Sequence, residues 1–66
     1  MRVRLNGEWL TLRDGLTVAD LIEELGLKRQ RIAIEVNRSI VPRQEHAKVQ
    51  LRDNDEIEVV HFVGGG

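Results

Sequence analysis

Residues 17–26, TVADLIEELG, limit most strongly how this chain can fold, because they carry a helical pattern with both ends marked. Thr17 and Asp20 have the spacing of a capping-box variant, and Gly26 suits the left-handed position that follows a helix. The apolar residues between them recur with the i, i+3, i+4, i+7 spacing of an amphipathic helix, at Val18, Leu21, Ile22 and Leu25. The sequence therefore predicts one short helix with a single apolar face.

The segment before this helix alternates between apolar and polar residues, as a strand with one buried face does. Val3 and Leu5 fall on one side of residues 1–12, MRVRLNGEWLTL. Asn6 and Gly7 follow, and both residue types tolerate the positive φ angles of a type I′ turn. The sequence predicts an N-terminal β-hairpin.

The part of the chain after the helix contains several segments with strand character. Residues 32–37, IAIEVN, and residues 56–63, EIEVVHFV, alternate again. Pro42 limits residues 40–42 to a short or edge strand, because proline has no N–H to donate to a ladder. Residues 49–51 offer one further brief strand, and we expect the intervening polar residues to form a loop or a short helical turn.

The order of these elements is β-β-α-β-β-β, which belongs to the α+β class. A helix that follows a hairpin and crosses to a third strand lays its apolar stripe across one sheet face, so that the first and last strands can pair in parallel at the centre. This is the plan of a β-grasp, or ubiquitin-like, roll: a mixed sheet of four to five strands with one main helix on one face. We expect a single domain over residues 1–66, with residues 63–66 as a flexible C-terminal tail.

Composition excludes several classes of function. The chain has no cysteine, which excludes disulfides, thiol catalysis and cysteine-based zinc sites. Its 10 basic and 11 acidic residues give a net charge of −1, and no apolar run approaches the ~20 residues of a membrane span. We therefore expect a cytoplasmic protein that binds neither nucleic acid nor membrane.

Few side chains are candidates for chemistry. His46 and His61 are the only histidines and lie in different predicted elements, so structural or solvent-exposed roles are favoured over a metal site or a general base. The carboxylates all fall on helix faces, turns and strand surfaces. Several arginines, among them Arg2 and Arg4, could form a basic patch, but the two aromatic residues are not arranged as a stacking platform for bases. We expect no active site of the chain's own.

The C-terminal stretch, VVHFVGGG, is the most unusual part of the sequence. Four extended residues from Val63 reach about 13 Å, and three of them, Gly64–Gly66, have no side chain, so they could thread a narrow channel in a partner. Val60 and Phe62 fall on the strand face opposite the predicted core. They are either a protein-docking patch or ordinary surface apolar residues, and the pattern alone leaves both open.

Four stretches together resemble the ThiS/MoaD family of ubiquitin-like sulfur carriers, and within it most closely the ThiS branch, which serves thiamine-thiazole synthesis. They are LNG at 5–7, TVADLIEELGL at 17–27, VNRSIVPR at 36–43 and LRDNDEIEVVHFVGGG at 51–66. The resemblance covers the whole chain. His46 departs from the pattern at a position where tryptophan can stand, and we expect it to lie away from the tail.

The resemblance implies a mechanism carried out by partner enzymes. A ThiF-type adenylyltransferase would use Mg-ATP to convert the Gly66 carboxylate to an acyl-adenylate, and sulfur supplied through a cysteine desulfurase would give a thiocarboxylate. A ThiG-type thiazole synthase would then receive the sulfur. Gly66 would be the reacting residue, Gly64 and Gly65 would give access to it, and Val60, Phe62 and Val63 would bind the partner, with no cofactor or metal bound by the chain itself.

Three other functions stay open at this point. The chain could be a MoaD-like carrier for molybdopterin, which differs in its partners and not in its tail. It could be a ubiquitin-like modifier that is joined to lysines. It could also be an interaction module whose C-terminal glycines have no function, in which case removing Gly66 would not change its activity.

Overall fold

Helix α1 runs over Val18–Glu24 in the computed structural model of the protein, which describes residues 1–62 apart from the side chain of Arg29. The predicted capping box is confirmed. The Asp20 N–H donates to Thr17 Oγ1 at 3.1 Å, and the Thr17 N–H donates to Asp20 Oδ2 at 3.0 Å. The hydrogen bond from the Thr17 backbone N–H, followed by one from the Thr17 side chain and by the charge of Arg13, stabilises the charged carboxylate and lowers the pKa of Asp20 below its usual value of 3.8.

The C-terminal end of α1 closes with a Schellman motif. Gly26 has φ +69°, its N–H donates to the Glu23 carbonyl at 3.0 Å, and the Leu27 N–H donates to the Ile22 carbonyl at 3.1 Å. The predicted apolar stripe is wrong at its last member. The helix ends at Glu24, so Leu25 is the cap residue, and its side chain is 38% exposed instead of buried.

The strands form one mixed five-stranded sheet in the order β2-β1-β5-β3-β4. Their ranges are β1 Arg2–Leu5, β2 Glu8–Thr11, β3 Ile32–Val36, β4 Ser39–Val41 and β5 Glu56–His61. The first and last strands pair in parallel, as predicted, and the other neighbours are antiparallel. The α+β class and the β-grasp plan are therefore confirmed, with the last strand at the centre of the sheet.

Both hairpins close through turns whose two central residues have positive φ angles. Asn6 and Gly7 have φ angles of 49° and 85°, so the turn between β1 and β2 is the predicted type. Asn37 and Arg38, at 52° and 70°, close the hairpin between β3 and β4 in the same way. Such turns match the twist of the flanking strands and therefore set the register on both sides of the sheet.

The predicted brief strand at 49–51 does not join the sheet. It makes a single bridge, between Gln50 and Thr17. Val18 donates its N–H to the Val49 carbonyl at 2.9 Å, and Leu51 donates its N–H to the Leu16 carbonyl at 2.8 Å. The segment is thus held by the chain that enters α1, and its hydrogen bonds are used there.

The core lies between α1 and one face of the sheet. Its buried apolar residues come from α1, from four of the five strands and from the connecting segments: Val3, Leu16, Val18, Leu21, Ile22, Ile32, Ile34, Val41, Leu51 and Ile57. Two polar residues are buried beside them. Asp55 accepts from Asn37 Nδ2 at 2.9 Å and from the Arg52 N–H at 2.7 Å, and His46 lies with Nε2 3.2 Å from the Val41 carbonyl oxygen. Both hold turns against the sheet.

Two 3₁₀ turns, Arg29–Arg31 and Arg43–Glu45, complete the described elements. The second of them is the predicted short helical turn, and it follows directly on Pro42. None of the helices in residues 1–62 is long and apolar enough to cross a membrane.

Candidate functional site

The sheet face that α1 does not cover is the candidate site. Directly opposed residues of antiparallel strands point to the same face, and the register pairs Ala33 with Val60, Glu35 with Glu58 and Glu35 with Ile40. Several of their neighbours along the strands, such as Ile34 and Ile57, are buried in the core on the other side of the sheet. We call the uncovered side the open face.

One end of the open face is apolar. Ile40 is 70% exposed, Phe62 58% and Val60 43%, with the half-buried Ala33 between them. We call Ala33, Ile40, Val60 and Phe62 the apolar patch. The structure places Val60 and Phe62 on the open face, as predicted, and their role in binding stays a prediction.

Ile40 is the most exposed member of the patch, and its sequence pattern did not predict this exposure. Ile40, Val41 and Pro42 follow one another without alternation, so the pattern did not say which of them faces outward. The signal was available across the sheet, because Glu35 faces outward in its alternating strand and Ile40 is its register partner in β4. The outward position of Ile40 can be inferred from Glu35 only when the register between β3 and β4 is known.

A shallow groove of about 230 Å³ adjoins the apolar patch. Phe62 and Ile40 lie on its wall together with Pro42, Arg43 and His46. The expectation that His46 lies away from the tail stays a prediction, because residues 63–66 lie outside the described part of the chain. The position of His46 beside the same groove as Phe62 was not predicted. This proximity depends on the tertiary structure. The 3₁₀ turn after Pro42 brings His46 beneath β4, and only β3 separates β4 from β5 in the sheet.

Strand β5 is held by hydrogen bonds up to the last described residue. Val59 donates its N–H to Asn6 Oδ1 at 2.8 Å, and Phe62 donates its N–H to the Arg31 carbonyl at 2.8 Å. The apolar patch therefore sits on a fixed scaffold. The predictions for Val63, Gly64, Gly65 and Gly66 concern residues that lie outside the described part of the chain.

The open face is acidic next to the apolar patch. Glu35 and Glu58 lie directly opposite each other, and Glu56 follows on the same face of β5. The Glu56 carboxylate is 3.7 Å from Arg38 Nε. Like charges on opposed strand residues repel each other, so this row is an unfavourable arrangement within the free domain.

The described residues offer binding surfaces more than catalytic groups. No three His, Asp or Glu side chains in residues 1–62 gather closely enough to hold a metal ion. His46 is buried under β4, whereas His61 is exposed beside Ile32 on β3. An exposed apolar patch beside a groove is typical of surfaces that bind other proteins.

Comparison with known proteins agrees with this picture. The model of the ThiS family matches residues 3–66. A sulfur carrier protein ThiS from Bacillus subtilis is 37% identical over 65 residues, covering 97% of this chain and 98% of the relative. The ThiS sulfur carrier of Escherichia coli is 30% identical over 66 residues and is covered completely, as is this chain.

Longer proteins also match. A thiazole synthase from Magnetococcus marinus is 41% identical over 66 residues, covering 100% of this chain and 20% of the relative. The chain therefore spans about one fifth of the length of the thiazole synthases that it matches.

A solved structure shares the whole fold. The crystal structure of a thiamine biosynthesis protein (ThiS) from Geobacter metallireducens has a TM-score of 0.87 at 26% identity and covers 100% of both chains. The family match extends to the last residue of the sequence, and the resemblance noted from the four stretches is confirmed. On this evidence of sequence and fold, the chain belongs to the ThiS family.

Proposed function

We propose that this chain is a sulfur carrier of thiamine biosynthesis, and that its Gly66 carboxylate is adenylated and then converted to a thiocarboxylate. The observation that carries the proposal is the apolar patch, which lies at the end of a hydrogen-bonded strand and stops one residue before Val63 and the glycines. A sulfur carrier needs a folded surface that its partners recognise and a narrow C-terminal segment whose carboxylate reacts. In this sequence the apolar patch directly precedes that segment.

The first step activates an unreactive group. A carboxylate resists nucleophiles because it is negatively charged and resonance-stabilised. In the active site of a ThiF-type adenylyltransferase, a Gly66 carboxylate oxygen attacks the α-phosphorus of Mg-bound ATP and pyrophosphate leaves. The product is a mixed anhydride whose leaving group is AMP. The step requires that Gly66 end in a free carboxylate.

The second step exchanges oxygen for sulfur. A cysteine persulfide, supplied through a cysteine desulfurase, attacks the carbonyl carbon through its terminal sulfur and displaces AMP. A thiol then cleaves the resulting S–S bond and is itself oxidised to a disulfide, which leaves the thiocarboxylate on Gly66. A ThiG-type thiazole synthase takes up this sulfur, and the matching relatives that are named thiazole synthase support that partner. Since the first step consumes ATP, we place the reaction in the cytoplasm.

The chain itself supplies recognition. Gly64, Gly65 and Gly66 offer a partner only backbone groups, so the affinity has to come from the folded domain. Phe62, Val60 and Ile40 present exposed apolar side chains on a rigid sheet, which limits the entropy lost when a partner binds. We therefore assign the apolar patch to docking of the activating enzyme, with Val63 extending it toward the tail.

Intact mass of the 66-residue chain tests the proposal. The chain is incubated with a ThiF-type enzyme, Mg-ATP and sulfide, beside a control chain that lacks Gly66. We expect the full chain to gain the mass difference between sulfur and oxygen, mapped to Gly66 by fragmentation, and the control to stay unchanged. An unchanged mass of the full chain, with an enzyme that modifies its own carrier in parallel, would contradict the proposal.

A further inference from the structure

The end of the open face farthest from the apolar patch carries a basic and aromatic cluster. Arg4 and Trp9 are direct register partners in the β1–β2 hairpin, and Arg2 lies two residues from Arg4 on the same face. The guanidinium carbons of Arg2 and Arg4 are 4.6 and 5.8 Å from the centroid of the Trp9 ring, which is 50% exposed. We call these three residues the Arg–Trp cluster.

The two arginines of this cluster have no carboxylate partner among residues 1–62, although the chain has 11 acidic residues. Glu56 is the register neighbour of Arg4 across the parallel pair, yet its carboxylate lies by Arg38. Two like charges thus stand together on one face with the ring between them. The Asp53 carboxylate accepts from the Arg2 backbone N–H at 2.7 Å but forms no ion pair with either guanidinium. A carboxylate of a binding partner therefore offsets the repulsion between these two arginines.

The position of the cluster connects it with the apolar patch. Both lie on the open face, and the six residue steps from Glu56, at the start of β5, to Phe62, directly after it, separate them by roughly 20 Å at ~3.3 Å per residue. A standard interface buries about 800 Å² on each partner, which corresponds to a disc roughly 30 Å across. One partner is therefore large enough to cover both ends at once. Arginine and tryptophan are also enriched among the residues that dominate binding energy.

We propose that the Arg–Trp cluster is a second docking element, which receives Asp or Glu side chains of the same protein partner that covers the apolar patch. The identification of that partner as the activating enzyme rests on the proposed function. The planar guanidinium groups of Arg2 and Arg4 donate to the carboxylates in forked geometry, and the exposed ring of Trp9 packs against the stems of the same side chains. The cluster also steers the encounter, because its charge acts before contact is made.

The single tryptophan of the chain makes the test direct. A chain labelled with 5-fluorotryptophan has one ¹⁹F resonance, which reports on the surroundings of Trp9. The test variant is R2Q/R4Q, and the control is R13Q/R52Q, which removes the same charge from two exposed positions outside the open face. Thermal unfolding of both variants checks that they are folded.

The first arm uses the ThiF-type enzyme. We expect its addition to shift the ¹⁹F signal of the unsubstituted chain. In stopped-flow association at low salt, R2Q/R4Q should bind on the order of tenfold more slowly and with a weaker salt dependence, while the control changes by less than about twofold. If the mass gain at Gly66 occurs but the ¹⁹F signal does not move at saturation, the cluster proposal is overturned and the proposed function stands.

The second arm does not depend on the enzyme. The labelled chain is titrated with a hexaglutamate peptide and with a single-stranded DNA oligonucleotide of equal charge. A ¹⁹F shift with hexaglutamate that R2Q/R4Q loses and R13Q/R52Q keeps supports an acidic protein partner. An equal or stronger response to the DNA, or an equal loss in both variants, overturns it. Failure of the mass gain with every variant would count against the proposed function alone.

Discussion

The two faces of the central sheet show the same residue type put to opposite uses. Ile57 on β5 is fully buried beneath α1, whereas Ile40 on β4 stands on the open face with most of its side chain in water. The difference arises because one helix of seven residues covers only one face of a five-stranded sheet. The covered face therefore determines stability, and the open face is left available for binding.

This division implies that substitutions on the two faces have separable effects. Core residues change the free energy of unfolding through lost burial and cavities. Substitutions in the apolar patch of the open face leave that free energy nearly unchanged and act on partner affinity. Two pairs of variants test this separation, and two more test local contributions to stability; they are ordered from the largest expected effect to the smallest.

Ile57→Ala should lower the free energy of unfolding by about 3 kcal/mol, because it removes buried methyl groups and leaves a cavity at the centre of the sheet. Ile40→Ala is the matched control and should change it by less than about 0.5 kcal/mol. Urea titrations of both variants give the values, and Ile57→Val, with an expected loss of about 1 kcal/mol, keeps the comparison measurable if Ile57→Ala does not fold. Equal losses at positions 40 and 57 would show that the open face is covered in the free protein.

Phe62→Asp should weaken binding to a ThiF-type enzyme by about 2 kcal/mol, or roughly 30-fold, because a charge replaces an exposed aromatic side chain of the docking patch. Its free energy of unfolding should stay within about 0.5 kcal/mol of the unsubstituted chain. Titration calorimetry measures the affinity. Leu25→Asp introduces the same charge at an exposed apolar position at the end of α1, and an equal loss of affinity there would remove Phe62 from the docking face.

Thr17→Ala should destabilise the domain by about 1 kcal/mol at neutral pH, because it removes the side-chain cap of α1. The pKa of Asp20 is lowered in the folded state, so the stabilisation from its ionised form is present above pH 3.8 and is lost as the pH falls through the folded pKa. Thr17→Ala keeps the backbone hydrogen bond to this carboxylate and removes the side-chain one, so part of the difference between Thr17→Ala and the unsubstituted chain should be lost in acid. Thr17→Ser keeps the hydroxyl and should show little change, and a pH-independent difference would contradict the linkage.

Glu58→Thr should stabilise the domain by about 0.5 kcal/mol, because it removes one of two carboxylates that face each other across β3 and β5. The gain should diminish as salt screens the repulsion. Glu8→Thr makes the same exchange on β2, where the register partner is the apolar Leu5. A gain of equal size at both positions would mean that strand propensity, and not repulsion from Glu35, accounts for it.

Local features of the chain were predictable because they rest on local chemistry. The Thr17–Asp20 box and the Gly26 cap depend on residues three or four positions apart, and the Asn6-Gly7 turn depends on two adjacent φ angles. The alternation of β5 also placed Val60 and Phe62 on the face opposite the core. In each case the physical cause lies within one turn or one strand.

The features that were misplaced or not foreseen have causes that lie between elements. Residues 49–51 had strand character, but their hydrogen bonds go to the segment that enters α1 and not to the sheet. Leu25 matched the helical stripe, yet the helix stops one residue earlier. His46 reached the wall beside Phe62 through a turn after Pro42, although the two residues are far apart in the chain.

The sequence by itself determined the β-grasp plan, the family and the position of the candidate docking strand, because periodicity, turn residues and capping are encoded in short stretches. The tertiary structure alone decided which side chains share the open face. It brought Ile40 to the apolar patch, set Glu35 against Glu58, and stacked Arg2 and Arg4 on Trp9 at the far end. These groupings follow from strand order and register, which depend on how the whole chain packs its core.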